Sequence, residues 1–359
     1  MHRTRLRVLA LAGTLTLAGT ASAHVDYVTE DPAPVESAVA YLVEALTNPV
    51  VAGLLAGGAV AALLAVAVYL RFVAPLPDIP VLRETLRGYR PLVPWMLRLS
   101  MGLPLVGAGF AGYFFSPAVE VPGMRIPQVF VGFLLLFGLG TRVVAALGLL
   151  LYLGSLPFYP RLALAIEYVP GLLAVVLVGG GKPSADHMFA QVANAPGTLY
   201  GRIEPVRAVA ARVVPAIERY ERYAPTILRV GLGVGFLYLG IVEKLADPAH
   251  ALAVVAKYDL TAVVPVPADA WVVGAALAEV GLGVLLVLGV FTRGAAATAF
   301  LVFTLTLFGL PDDPVLAHVT LFGLASAVFT LGPGPLAVDH RLDGLRARVP
   351  LLGTATAER

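Results

Sequence analysis

Continuous apolar runs of about 18–22 residues recur along this chain, separated by shorter segments that hold most of its charge. Coiled as a helix, a run of that length crosses the hydrocarbon layer of a bilayer. In lipid every backbone N–H and C=O must find its partner inside the protein, so only helices and closed barrels span. The runs are unbroken rather than alternating, which excludes a barrel, whose strands change face at each residue. Composition agrees. Of the 359 residues 58% are hydrophobic and 13% charged, with a mean hydropathy of +0.85. Soluble domains carry about 25% charged residues. The expected fold class is all-α: a polytopic transmembrane protein of about nine helices.

Several chemistries are excluded at once. With no cysteine the chain has no disulfide, thiol nucleophile, cysteine-ligated iron–sulfur cluster or cysteine-based zinc site. No basic cluster is interleaved with aromatics, so nucleic acid is not an expected partner. Membrane lipids are.

Met1–Ala23 reads as a secretory signal: Arg3, Arg5 and Arg7 precede the apolar Val8–Gly19, and Ala21-Ser22-Ala23 fits a cleavage site. The alternative is an uncleaved anchor helix. Cleavage would expose His24, a weak candidate for Cu(II) or Ni(II) through its amine and imidazole, with Asp26 assisting; no other metal site is expected. Residues 24–92 then comprise an acidic external segment, a first span at about Val50–Phe72, and a loop with Arg71, Arg83, Arg87 and Arg90. Spans follow at about Val93–Phe115, Gln128–Leu139, Arg142–Leu156 and Leu162–Gly179, then at Thr226–Leu245, Ala270–Val290, Arg293–Leu310 and Pro314–Leu331. Between the two sets, the Lys182–Arg222 linker carries five arginines, and its amphipathic part, about Pro205–Tyr223, is expected on the inner membrane surface. The 343–359 tail is also basic. With the N-terminus outside, each arginine-rich segment falls inside, as the positive-inside rule requires. The expected location is thus the cell membrane, with the C-terminus cytoplasmic.

The two sets of four resemble each other. Leu97, Arg98, Gly102, Gly109 and Pro117 match Leu228, Arg229, Gly233, Gly240 and Pro248 without a gap. Thr141-Arg142 matches Thr292-Arg293, and Gly181–His187 matches Gly334–His340. An even number of helices per unit gives both the same orientation, so these read as parallel repeats over 93–187 and 225–342, joined by a linker at 188–224. Gly233 and Gly240 share a helix face and mark close packing.

The second unit resembles the DoxX/DoxD-like membrane proteins, which are small four-helix bundles. The resemblance rests on Arg229, on Gly240 with Lys244, on Glu279, on Thr292-Arg293, and on Gly332-Pro333-Gly334 with Asp339. It covers about Thr226–Leu342. It is weaker over Val93–His187, where Tyr113 and Gln128 stand at the Lys and Glu positions, and residues 1–92 lie outside it. It implies two parallel DoxX-like bundles plus one N-terminal helix. DoxD-type members are associated with thiosulfate:quinone oxidoreductase complexes, and other relatives with redox homeostasis.

Charged residues in the spans form two expected layers. At the inner helix ends stand Arg98, Arg142 and Asp186, then Arg229, Arg293 and Asp339. They read as anchors and as Arg–Asp ion pairs that tie helices together. The outer layer belongs to the second unit: Lys244, Glu279 and His318. Glu279 lies about eight residues below Trp271, roughly 12 Å deep. A carboxylate there costs roughly 2.5–3.5 kcal/mol and must be neutral, paired or facing a cavity. The plain alternative is one structural ion pair and a satisfied histidine. The sharper reading is a polar pocket for a quinone or another small lipophilic ligand. No catalytic residue is singled out.

Two functions follow. The first is a subunit or accessory of a quinone-linked membrane redox system, with no cofactor of its own beyond the quinone and with a redox partner subunit. The second is a non-enzymatic assembly factor, or a binder or carrier of a small lipophilic solute. The histidines are scattered, so a bis-histidine haem is not expected.

Overall fold

The computed structural model describes residues 35, 37–74, 76–203 and 206–341, the backbone alone at 202–203 and 206–211. The signal reading at Met1–Ala23, His24 and the 343–359 tail lie outside the described residues. All described elements are helices apart from one isolated bridge between Phe114 and Ser116.

Among the described residues, five helical segments are long and apolar enough to cross a membrane: Pro49–Val73, Arg90–Ala111, Arg212–Leu245, Ala268–Leu288 and Thr292–Gly309. They contain helices named here α1 (Pro49–Val68), α2 (Val93–Ala111), α6 (Ala224–Gly240), α7 (Ala268–Leu288) and α8 (Thr292–Gly309). The remaining four expected spans are shorter apolar helices: α3 (Pro122–Phe137, 16 residues), α4 (Thr141–Ser155, 15), α5 (Tyr168–Val178, 11) and α9 (Val315–Leu331, 17). The shortening has local causes. Gly112 takes φ +107° and stops α2 before the expected Phe115, because a left-handed residue after the last turn ends a helix. Before α5, Pro160–Ala165 coils as a tight 3₁₀ turn, which places Glu167 just ahead of the helix.

Short helices fill the connections: Ala38–Thr47, Asp78–Gly88, Ala185–Asn194, Leu199–Ile203, Val206–Glu218, Pro248–Lys257 and Leu260–Val263. Asn48 caps α1 by accepting from Val50 N and Val51 N.

The packing of α6–α9 repeats that of α2–α5 pair for pair. In each set the first helix packs on the second, the second on the third, the third on the fourth, and the first on the fourth. The sets also interlock, α2 against α9 and α6 against α5. The first two helices of each set meet at glycines. A Cβ on Gly102 would lie 2.9 Å from Gly132 O, and one on Gly233 would lie 2.8 Å from Gly283 O. In lipid, where apolar burial gives no net drive between helices, such backbone approach maximises van der Waals contact. One continuous core results, running from Leu97 and Met101 through Leu172 to Leu228, Phe236 and Leu324. Helix α1 stays outside it, resting on α7 and meeting Phe291 through Tyr69, with ring centroids 6.0 Å apart.

Candidate functional site

Helix α6 does not end in a regular α turn. Ile241–Leu245 widens into a π turn, a distortion often found at functional sites. It carries Glu243, which is buried, and Lys244, which reaches α7. Lys244 Nζ lies 2.9 Å from Glu279 Oε1 and 2.8 Å from Oε2. Both side chains are partly open, 24% and 15% exposed. This is an ion pair within the apolar zone with one hydrogen bond, to Oε1, and it offsets the carboxylate cost expected from sequence.

The matching positions of the first set are closed and neutral. Gln128, fully buried, accepts from Phe115 N at 2.8 Å and donates to Leu105 O at 3.0 Å and Tyr113 O at 3.4 Å. All its polar valences serve the chain's own backbone. Lys244 and Glu279 serve only each other.

His318 does not join them. It is buried on α9, with Nε2 3.5 Å from Asp313 Oδ2 and Nδ1 3.4 Å from Pro314 O. Its ring stands edge-on to Phe303 at 6.3 Å. The sequence places all three residues at one depth, but the helix face decides the neighbour, and His318 faces its own N-terminal turn. The expected cluster of Lys244, Glu279 and His318 is therefore a Lys–Glu pair and a separate His–Asp pair.

The arginine end differs from expectation in its partners. Asp186 and Asp339 form no ion pair with the arginines expected to hold them. Asp339 instead accepts from Phe291 N, Thr292 N and Thr292 Oγ1 at 2.7, 2.9 and 2.8 Å. Asp186 does the same for Gly140 N, Thr141 N and Thr141 Oγ1 at 2.6, 2.9 and 2.7 Å. Each aspartate thus caps the start of α8 or α4 from across the bundle, meeting donors that have no intrahelical partner. The arginines cap the opposite kind of end. Arg142 donates to Val176 O and Leu177 O at the end of α5, and Arg293 to Phe329 O and Thr330 O at the end of α9. Arg229 is saturated by Pro333 O, Leu286 O, Val287 O and Leu336 O. Arg98 reaches Pro183 O at 2.6 Å, and its Nε and Nη1 are buried without a partner. A guanidinium has several donors and the final turn of a helix several free carbonyls, so carbonyl capping satisfies more atoms than one carboxylate does.

Sequence reasoning missed Glu167. It is 7% exposed and accepts from Thr320 Oγ1 at 3.1 Å. The two residues stand 153 apart, the interval that also separates Asp186 from Asp339. They meet where the two sets interlock. Glu167 also lines a narrow crevice of about 30 Å³ with Leu232, Phe236, Tyr238, Phe303 and Leu321. The signal was available: Glu167 is an ionisable residue inside the apolar run Leu162–Gly179.

No curated protein and no solved structure matches the chain. A family model, DoxX, matches residues 224–312. That segment spans α6, its π turn, α7 and α8, and holds both members of the Lys244–Glu279 pair. With its apolar helices, this chain is a multi-pass membrane protein that carries a DoxX domain at residues 224–312.

Proposed function

We propose that the protein is a membrane-embedded binding subunit of a quinone-linked redox system, and that the Lys244–Glu279 pair receives the polar head of the ligand. One observation carries this reading: at matched positions, one set is closed by a neutral amide bonded to backbone, and the other holds a partly open ion pair. Both sets must fold, so the charged pair is a specialisation. An ammonium donates to a quinone carbonyl, and a carboxylate accepts the hydroxyl proton of the reduced form. The electrons are exchanged with a partner subunit. On the same reading the chain is a duplicated unit over 93–187 and 225–342, with its arginine end cytoplasmic and its Glu279 half external.

The test is mass spectrometry of small molecules retained by purified protein, run beside melting in detergent. Wild type should retain quinone. Glu279→Gln and Lys244→Met should lose it while melting stays near wild type. Collapse of the fold in Glu279→Gln, with normal retention per folded molecule, returns the pair to a structural role. A second reading, binding or carriage of another lipophilic solute, is favoured by the apolar crevice at Glu167 and Tyr238. Ordered lipid without quinone in the purified protein would support it.

A further inference from the structure

The two matched arginines, Arg142 and Arg293, perform the same carbonyl cap but have opposite surroundings. The linker preceding α6 brings carboxylates to Arg142: Glu218 Oε1 lies 3.4 Å from its Nη2, and Glu221 acts on it through space. The segment preceding α2 lies correspondingly against α9, but it brings arginines. Arg83 and Arg87 stand on helix Asp78–Gly88, which packs against α9, and Arg90 follows it. Arg90 Nη2 donates to Leu331 O at 3.2 Å. Arg87 pairs with Glu84 one turn away on its own helix. Arg83 has no hydrogen-bond or ion-pair partner among the described residues. Asp339, the other nearby carboxylate, caps α8 and brings one negative charge to this end.

Arg90 and Arg293 thus meet at the end of α9, with Arg83 and Arg87 on the helix packed beside it, where the twin site has two carboxylates. Carbonyl oxygens satisfy hydrogen bonds but do not cancel a full charge. Among the described residues Glu84 and Asp339 bring two negative charges to this end, which leaves it net positive. Helix Asp78–Gly88 turns Leu86 inward and leaves Val81 and Leu82 65% and 45% exposed beside the arginines. Pro80, Val81, Arg83, Glu84 and Arg87 line one open face of this helix. Apolar side chains next to guanidinium groups at the end of membrane helices suit a molecule with a phosphate head and acyl chains.

We propose that Arg83, Arg87, Arg90 and Arg293 form a binding site for the phosphate of an anionic phospholipid in the adjoining leaflet. The phosphate supplies to the second set what Glu218 and Glu221 supply to the first. Its acyl chains lie against Val81, Leu82 and the lipid-facing side of α1.

The experiment uses the full-length protein in nanodiscs of phosphatidylcholine with increasing phosphatidylglycerol, reading retained lipid by native mass spectrometry and melting temperature. Wild type should retain phosphatidylglycerol over phosphatidylcholine and melt higher as it is added. In the exposed double variant Arg83→Gln/Arg87→Gln the preference should fall about fivefold for each arginine removed, which is roughly 1 kcal/mol apiece. Its melting in pure phosphatidylcholine should not fall, since a repulsion has been relieved. The charge-matched control Arg219→Gln/Arg222→Gln should keep the wild-type preference. The proposal is overturned if Arg83→Gln/Arg87→Gln keeps that preference, or if the control loses as much. Inorganic phosphate that raises melting equally without anionic lipid overturns the lipid as the source.

Discussion

Replacing Asp339 with alanine removes one carboxylate and strands three donors: Phe291 N, Thr292 N and Thr292 Oγ1. Thr292 is 1% exposed, so its groups are poorly placed to recruit water. Each unmet buried donor costs about 1–3 kcal/mol. A carboxylate also favours the positive end of α8, by about 0.3–1 kcal/mol. Asp339 itself is only half-buried, so water reaches part of the gap, and a total of roughly 3–5 kcal/mol is expected. Asp339→Asn keeps one acceptor oxygen and should lose roughly half of that. Thr292→Val removes a single hydroxyl and should cost about 1 kcal/mol. The assay is thermal unfolding in one detergent, read as the fraction remaining monodisperse after heating. The order of damage should be Asp339→Ala, then Asp339→Asn, then Thr292→Val. Asp186 makes the same three contacts at the start of α4, so Asp186→Ala serves as an internal replicate. If Asp339→Ala melts with wild type while Asp186→Ala unfolds, capping is not what the aspartates do.

Gly233→Val should drive α6 off α7, because its Cβ would sit 2.8 Å from Gly283 O; a loss of about 1–3 kcal/mol should appear in the same melting assay, and Gly235→Val, with open space around it, should be silent. Gln128→Leu leaves Phe115 N without its buried acceptor and should cost about 1–3 kcal/mol, whereas Glu279→Gln should not destabilise comparably; equal melting losses would contradict the contrast drawn between the two sites. The loop helix Pro248–Lys257 is strapped to Asp312, which lies 2.9 Å from Lys257 Nζ and accepts from Tyr258 OH at 3.1 Å. The Lys257 contact holds the Asp312 carboxyl below its usual range, and the same contact raises the lysine. For the depressed acid, the contribution is present above the unfolded pKa and lost as pH falls through the folded one. For the raised base, it is present below the unfolded pKa and lost as pH rises through the folded one. Hydrogen exchange over residues 248–263 should therefore show protection at neutral pH that weakens as pH falls below the usual carboxylate range; equal protection at both would remove the strap.

Much of the architecture is legible from periodicity and length alone. Pro49–Val73 is recognisable as a span because nothing but a helix satisfies its backbone in lipid. Gly233 and Gly240 are recognisable as contact positions because only small residues let two backbones approach. The pairing of Lys244 with Glu279 follows from the cost of a lone carboxylate at that depth. Helix ends are less legible. The stop at Gly112 depends on a left-handed turn, and the late start of α5 depends on the 3₁₀ turn at Pro160–Ala165.

What the amino-acid order determines by itself is which stretches are apolar enough for membrane helix, and which residue types the two sets share at like spacing. Both are properties of local composition and spacing. The partners of the polar groups were decided by the tertiary structure. Asp186 and Asp339 cap helices rather than holding Arg142 and Arg293, because the interlocked sets bring free N–H groups to the carboxylates and free carbonyls to the guanidinium groups. His318 turns to Asp313 rather than to Glu279, because its place on α9 faces Phe303 and its own first turn. Glu167 meets Thr320 only because α2 packs on α9 and α6 on α5. In an apolar medium a polar atom takes whichever partner the packed helices place within about 3 Å, and that choice is made by residues far apart in the chain.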